Sequence, residues 1–144
     1  MKNTIFVFLT VTITIFSCKK ENTPDTIINP PSPIDTTIST VRYTGNFQNG
    51  PWGTTTGTAI IIETNGKFQL RLEGFRVNSG PDLKVYLSKE LQPLNFIRLG
   101  SLKALSGNQV YDIPGRPYLM DYPYALIHCE KFNHLFGSAQ LMMQ

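Results

Sequence analysis

The sequence predicts an all-β domain, folded as a single antiparallel β-sandwich of about seven to eight short strands. Residues 67–73 alternate polar and apolar side chains without interruption, so Phe68, Leu70 and Leu72 share one face of a strand. Asn65-Gly66 precedes this segment directly and is a strong signal for a type I′ hairpin turn. Glycine or proline separates nearly all of the apolar segments, and none of them keeps a helical period. These patterns favour strands throughout.

The strands can be placed in order along the chain. The hairpin joins residues 58–64 to residues 67–73. Alternation in residues 82–88 directs Leu83, Val85 and Leu87 inward and directs Lys84 and Tyr86 outward. The other predicted strands lie at residues 41–47, 95–99, 109–113, 124–132 and 138–142. Short strands at this spacing are typical of a sandwich or a barrel, and about 100 residues suffice for one core.

Composition excludes several classes of protein. The chain has 144 residues, of which 41% are hydrophobic and 16% charged. It is too apolar for a disordered chain and too poor in charge for a coiled coil. The net charge of +3 comes from 13 basic and 10 acidic residues without a basic block, which argues against a nucleic-acid partner. Two cysteines form neither a disulfide scaffold nor a four-cysteine metal site.

The first residues have the features of a targeting signal. Lys2 is followed by an apolar and threonine-rich run at residues 4–16, which is shorter than the roughly 20 residues that span a bilayer. The run ends in Ser17-Cys18, which resembles a bacterial lipoprotein signal. The expectation is that residues 1–17 are removed and that Cys18 carries lipid, with an ordinary secretory signal or a lone membrane anchor as the alternative. Lys19 follows the cysteine, with no aspartate there, which resembles outer-membrane rather than inner-membrane sorting and implies a location in the bacterial cell envelope.

A tether is predicted between the lipid anchor and the domain. Residues 18–39 contain four prolines among threonine, asparagine and aspartate, without an apolar period. Proline favours extended polyproline geometry and removes backbone donors, so we expect a stiff and solvated segment. The folded domain then occupies residues 40–144.

Familiar catalytic constellations are missing from the sequence. There is no Gly-x-Ser-x-Gly, no phosphate-binding glycine loop, no His-Glu-x-x-His and no Cys-x-x-Cys. The acidic residues are isolated from one another, so paired-carboxylate hydrolysis and a metal site are both unsupported. These absences argue against a stand-alone enzyme. Trp52 could stack on a sugar or another ligand, but it is interpreted as a hydrophobic plug at a sheet end. Tyr118, Tyr122 and Tyr124 cluster between two prolines and are interpreted as loop packing rather than as a binding platform.

Reactive side chains concentrate in residues 128–134. Cys129 is the only thiol that remains once Cys18 is lipidated. On a strand, Cys129 shares a face with Ala125 and Ile127, whereas His128 points to the opposite face. His128 and Cys129 therefore cannot coordinate one metal ion or form a nucleophile–base pair unless a bulge intervenes. Spacing alone favours Cys129 as a small buried core residue.

Three separated motifs follow one another along the predicted strands. The first is Gly-Pro-Asp-Leu-Lys-Val-Tyr-Leu-Ser at residues 80–88. The second combines Leu-Gly-Ser-Leu-Lys at 99–103 with Gly-Asn-Gln-Val-Tyr-Asp-Ile-Pro at 107–114. The third is the cysteine strand and the segment after it, residues 125–139. Together these motifs resemble the DM-thirteen (DM13) family, a proposed electron-transfer domain often found beside DOMON cytochrome-like domains, and the resemblance covers residues 54–141. It favours an electron-transfer or binding module over a stand-alone enzyme.

The resemblance implies a β-sandwich-like module in which Cys129 acts in redox chemistry. Lys131, His128 and His134 are the nearest candidate cations by sequence for activating its thiolate. The remaining positions that match the family motifs are Gly80, Pro81, Asp82, Tyr86, Gln109, Tyr111, Pro114, Phe132 and Gly137.

The implied chemistry also requires a partner. With no second thiol in the mature chain, turnover needs a redox partner protein, and haem or another redox centre would be supplied by that partner rather than bound by this chain. The alternative is a non-enzymatic cell-surface binding or adhesion module. In that case Cys129 is structurally buried, and Trp52, Tyr118 and Tyr122 contact a partner.

Overall fold

The computed structural model describes residues 39–144, which form nine β-strands and one short 3₁₀ turn. The predicted signal peptide, Cys18 and all of the tether except Ser39 lie outside the described residues. Within the described part of the chain, no helix is long and apolar enough to cross a membrane. The all-β prediction is confirmed.

The strands pair antiparallel throughout. Their bounds are β1 Ser39–Asn49, β2 Thr55–Thr64, β3 Lys67–Val77, β4 Leu83–Ser88, β5 Phe96–Ser101, β6 Gln109–Ile113, β7 Tyr124–Cys129, β8 His134–Gln140 and β9 Met142–Met143, with the 3₁₀ turn at Leu119–Asp121.

One continuous sheet replaces the two layers expected of a sandwich. Its order is β5-β4-β7-β8-β1-β2-β3-β6, and β9 pairs with β1 outside this path. The long strand β1 joins the two halves, because it pairs with β2 along most of its length and with β8 through Phe47, Gln48 and Asn49. The sandwich arrangement is therefore not confirmed, and the fold is a nearly closed, barrel-like sheet of eight antiparallel strands.

Residues 102–107 bridge the gap between the two ends of the sheet. The backbone N–H of Leu102 donates to the carbonyl of Leu83 on β4, with an N–O distance of 2.8 Å. On the other side, Val77 on β3 donates to the carbonyl of Leu105, and Gly107 donates to that of Phe75, each at 2.9 Å. These bonds satisfy backbone groups of β4 and β3 that lie beyond their pairing with β5 and β6.

The core follows the predicted alternation. Leu70 and Leu72 of β3 are fully enclosed, and Phe68 packs partly buried against the same cluster. The outer face of β4 differs from the expectation, because Tyr86 points outward as predicted but is only 2% exposed. It belongs to a second, smaller cluster with Leu126 and Leu135, and its ring centroid lies 4.4 Å from that of Phe96.

Two turns show where local sequence signals succeed and where they fail. Asn65 and Gly66 have φ values of 50° and 74°, as a type I′ hairpin requires. The predicted strand 124–132 instead ends at Cys129. Residues 130–133 form a turn in which Asn133 adopts a left-handed φ of 54°, so β8 begins at His134 rather than at residue 138.

Candidate functional site around Cys129

Cys129 lies at the end of β7 and points into the main core. Its register partners are Leu83 at the start of β4 and His134 at the start of β8. The thiol is free, and the residue is 0% exposed in the same cluster as Ala125 and Ile127. The inward orientation predicted from strand spacing is confirmed.

His128 occupies the opposite face of β7. Its ring centroid lies 5.8 Å from that of Tyr86, and its Nε2 shares a 3.0 Å hydrogen bond with Asn133 Oδ1. Burial lowers the pKa of His128, outweighing the hydrogen bond to Asn133 and the charge of Glu130, so the ring is neutral near pH 7. Although the β7–β8 register shifts between Ile127 and His128, the pairing with β4 is continuous, so His128 and Cys129 still face opposite sides.

A stacked aromatic pair stands at the Cys129 end of the sheet. The rings of Trp52 and His134 lie 3.8 Å apart between centroids and 2° from parallel. Because residues in antiparallel register share a face, His134 is on the inner side together with Cys129. Trp52 is 59% exposed, so the predicted hydrophobic plug is wrong for this residue. Spacing gave no signal for the stack, because its two members are far apart in sequence.

The charged groups near this end are largely paired. Tyr86 donates its hydroxyl to Glu130 Oε1 at 2.5 Å, and Arg98 donates to Glu130 Oε2 at 3.0 Å. Burial, followed by the hydrogen bond to Glu130, raises the pKa of Tyr86. Lys84 Nζ lies 2.5 Å from Asp82 Oδ1, so these two side chains form an ion pair.

Only one of the three candidate cations shares a face with Cys129. Lys131 lies in the exposed turn with its Nζ 5.5 Å from the ring centroid of Phe132. His128 faces away, whereas His134 is the register partner of Cys129. If a neighbouring side chain activates the thiol, it is therefore His134 rather than His128 or Lys131.

The two motif glycines at this end, Gly80 and Gly137, have no room for a side chain. A Cβ on Gly80 would lie 2.7 Å from Leu83 Cδ2 and 2.9 Å from Phe136 Cζ. A Cβ on Gly137 would lie 2.4 Å from both Cβ and Oγ1 of Thr55. Pro81 and Phe132 are exposed in the turns before β4 and after β7.

The motif residues Gln109 and Tyr111 hold the segment at residues 102–107 that bridges the two ends of the sheet. Gln109 Oε1 accepts hydrogen bonds from the Tyr111 hydroxyl at 2.7 Å and from the backbone of Lys103 and Ala104 at 3.2 Å each. Burial raises the pKa of Tyr111, against the backbone hydrogen bond from Lys103. These contacts hold residues 103–104 against β6, and Pro114 follows that strand exposed to solvent. The described hydrogen bonds do not link this group to Cys129.

The residues around Cys129 do not fit a metal or haem. Within residues 39–144, no three His, Cys, Asp or Glu side chains are grouped so as to hold a metal ion. A haem iron carried by a partner would need direct access to the Cys129 sulfur. The side chain of Cys129 is fully enclosed, so its sulfur offers no such access while the domain is closed.

The fold and this site define a small, barrel-like all-β domain with one enclosed thiol. The sequence profile of the family described as Electron transfer DM13 matches residues 46–141. The chain therefore belongs to the DM13 family, an electron-transfer domain family. Neither the curated proteins nor the solved structures compared with the chain include a match.

Proposed function

We propose that this chain is a lipid-anchored electron-transfer module of the bacterial cell envelope and that Cys129 is its redox residue. The observation that carries the proposal is the position of this single thiol. It lies at the end of β7, next to an exposed turn, in a domain of an electron-transfer family. Attack of its thiolate on a partner disulfide would form one mixed disulfide and release one partner thiolate.

Exchange at Cys129 requires a local opening, because the thiol is enclosed. Side-chain hydrogen bonds tie the covering turn at Glu130, to Tyr86 and Arg98, and at Asn133, to His128. Glu130 donates its backbone N–H to the carbonyl of Asp82 at 3.0 Å, and Asn133 donates to the carbonyl of Glu130 at 3.4 Å. The Trp52–His134 pair adds a stacking contact. Strand ends beside exposed turns open at lower free energy than the core of a sheet, so this end is the route by which a partner would reach the sulfur.

Alkylation of Cys129 tests this route. In the full chain carrying Cys18→Ser, Cys129 is the only thiol. We expect iodoacetamide to label it slowly under native conditions, and Trp52→Ala to speed labelling by about tenfold, as loss of a stacking contact of about 1.4 kcal/mol would do. The labelling rate is measured by mass spectrometry against pH, alongside the rate of global unfolding in the same buffer.

Tyr118→Ala is the matched control for Trp52→Ala. Tyr118 is also a largely exposed aromatic residue, but it lies between β6 and β7 and its hydroxyl bonds to Met120. This variant is expected to leave the labelling rate unchanged. Labelling that occurs only at the rate of global unfolding, whatever residue stands at position 52, would show that Cys129 is a packing residue.

The second candidate function is a non-enzymatic surface binding or adhesion module. The complete enclosure of Cys129 favours it, as do the exposed aromatic side chains of Trp52 and Tyr118. An inert thiol in the alkylation experiment supports this function over the first, because the redox proposal has no other cysteine to use.

The lipid anchor, the outer-membrane location and the redox partner are parts of the same proposal. The Ser17-Cys18 motif at the end of the apolar run, with Lys19 after it, supports the lipid anchor and the outer-membrane location. The redox partner is needed because Cys129 has no second thiol beside it in the lipidated chain. More than one acyl chain at Cys18 would give stable anchoring, which a single chain does not. Expressed in a bacterium, the native chain is expected to fractionate with membranes and to incorporate labelled fatty acid.

Cys18→Ala should abolish the labelling and release the protein into the soluble fraction. Cys129→Ala serves as the control, since it removes the other thiol and should leave lipidation intact. Fatty-acid labelling that survives Cys18→Ala would contradict the assignment of Cys18.

A further inference from the structure

We propose that Tyr86 is a second redox site of this domain, a one-electron donor that passes its hydroxyl proton to Glu130. The Tyr86 hydroxyl donates to Glu130 Oε1 at 2.5 Å, which is the distance of a charge-assisted hydrogen bond. Tyr86 and Cys129 lie on opposite faces of the sheet, in separate clusters. The site goes beyond the proposed function, since it uses neither the thiol nor the lipid anchor.

The chemistry requires a proton acceptor beside the tyrosine. A tyrosine gives up an electron readily only when its proton leaves as well, because an oxidised phenol is a very strong acid. A base within hydrogen-bond reach accepts that proton directly.

The step is balanced as follows for one electron. The O–H bond of Tyr86 breaks, the electron passes to a one-electron oxidant such as the oxidised metal centre of a redox partner, and the proton passes to Glu130. The products are a neutral tyrosyl radical, a protonated Glu130 and the reduced oxidant. Return of the electron and the proton restores the tyrosine.

Glu130 is held in position as the proton acceptor. Arg98 donates to Glu130 Oε2 at 3.0 Å, which leaves Oε1 for the tyrosine. Arg98 and Tyr86 are register partners on β5 and β4, so both side chains lie on the same face of the sheet. The side chain of Glu130 is 33% exposed, so the transferred proton can exchange with water. Burial, followed by the hydrogen bond to Glu130, raises the pKa of Tyr86, so the hydroxyl keeps its proton until the electron leaves.

The ring of Tyr86 is sheltered from solvent but lies one ring away from the surface. Tyr86 is 2% exposed, which protects a radical from dissolved reductants. Its ring centroid lies 4.4 Å from that of Phe96, which is 42% exposed on β5 at the end of the sheet. An electron can therefore leave through the contact with Phe96, and a partner would bring its redox centre to the outer face of β5.

The other buried tyrosine has a different hydrogen-bond acceptor. Tyr111 is also almost completely buried, and its hydroxyl donates to the amide oxygen of Gln109 at 2.7 Å. An amide oxygen satisfies a buried hydroxyl but is not a base for its proton. Among the hydrogen bonds of residues 39–144, the bond from Tyr86 is the only one from a tyrosine to a carboxylate. Tyr86 and Tyr111 therefore form a matched pair that differs in the proton acceptor.

Flash oxidation tests the role of Tyr86. The full chain carrying Cys18→Ser and Trp52→Phe is mixed with tris(bipyridine)ruthenium(II) and an irreversible electron acceptor, and a light flash generates the ruthenium(III) oxidant. Trp52 is replaced because it is the only tryptophan and would be oxidised in competition. We expect a fast phase of tyrosyl-radical formation, measured by absorption and electron paramagnetic resonance, that is slower in deuterium oxide. The fast phase should be lost in Tyr86→Phe and kept in Tyr111→Phe.

Glu130→Gln should slow the fast phase by about a hundredfold, the lower range for loss of a positioned general base. Glutamine keeps the shape of the side chain and can accept the hydrogen bond, but it does not take the proton. Asp82→Asn is the matched control, because this carboxylate pairs with Lys84 rather than with Tyr86, and it should leave the rate unchanged.

Cys129→Ala separates this site from the thiol, because the fast phase should persist in that variant whether or not Cys129 proves inert to alkylation. Radical formation at the unchanged rate in Tyr86→Phe or in Glu130→Gln would overturn the proposal and leave the hydrogen bond as an anchor of the turn. Equal slowing in Asp82→Asn, or loss of the fast phase in Cys129→Ala, would overturn it as well.

Discussion

Replacing Gly137 by alanine is expected to lower the free energy of unfolding by about 3 kcal/mol, the upper range for overpacking a well-filled core. Gly137 lies on β8, where a Cβ would come within 2.4 Å of both Cβ and Oγ1 of Thr55. Thr55 is 1% exposed, and its hydroxyl donates to the carbonyl of Phe136 at 2.8 Å. The threonine therefore cannot turn away without losing a buried hydrogen bond. Equilibrium unfolding in urea measures the loss.

Gly74→Ala is the matched control. Gly74 has a φ of 55°, but no atom lies within 4 Å of the position that its Cβ would take. Alanine there meets only the cost of a left-handed backbone, about 1 kcal/mol. If both variants lose the same small amount, the close approach of β8 to Thr55 is not a packing constraint. The family motif at Gly137 would then need another explanation.

Local patterns predicted the parts of this fold that local physics determines. Asn-Gly tolerates two consecutive positive φ values, so residues 65–66 identified their hairpin without knowledge of the rest of the chain. Alternation likewise assigned Leu70 and Leu72 to the core. The choice between a sandwich and a barrel-like sheet was not local, because it depends on the pairing of β1 with β8, which are far apart in sequence.

The candidate site, too, could be predicted only where local sequence determines it. Strand periodicity placed Cys129 and His128 on opposite faces, and the structure confirms this. The Trp52–His134 pair could not be predicted, because its members meet only when the β1–β2 loop packs against β8. The motif resemblance located important positions, but whether each one packs or reacts depends on neighbours that the motif does not specify.

The stability of the domain is expected to fall as the pH drops below about 6.5, because of His128. Burial lowers the pKa of this ring from its ordinary value of 6.5 in the folded chain. The unfolded chain therefore takes up a proton that the folded chain does not, and acid favours unfolding. The stabilisation from the neutral ring is fully present above pH 6.5 and is lost progressively as the pH falls toward the lowered pKa. The free energy of unfolding then changes by at most about 1.4 kcal/mol per pH unit. Urea unfolding at a series of pH values measures this slope.

His128→Phe removes the titrating ring while keeping an aromatic side chain beside Tyr86, so the slope in this pH window should disappear. Asn133 is exposed and can transfer its hydrogen bond to water, so the variant leaves no buried acceptor unpaired at that position. His134→Gln retains His128 and should retain the slope. Because the chain has two histidines, the two variants together assign the titration. A slope that persists in His128→Phe would contradict the assignment of the acid sensitivity to this residue.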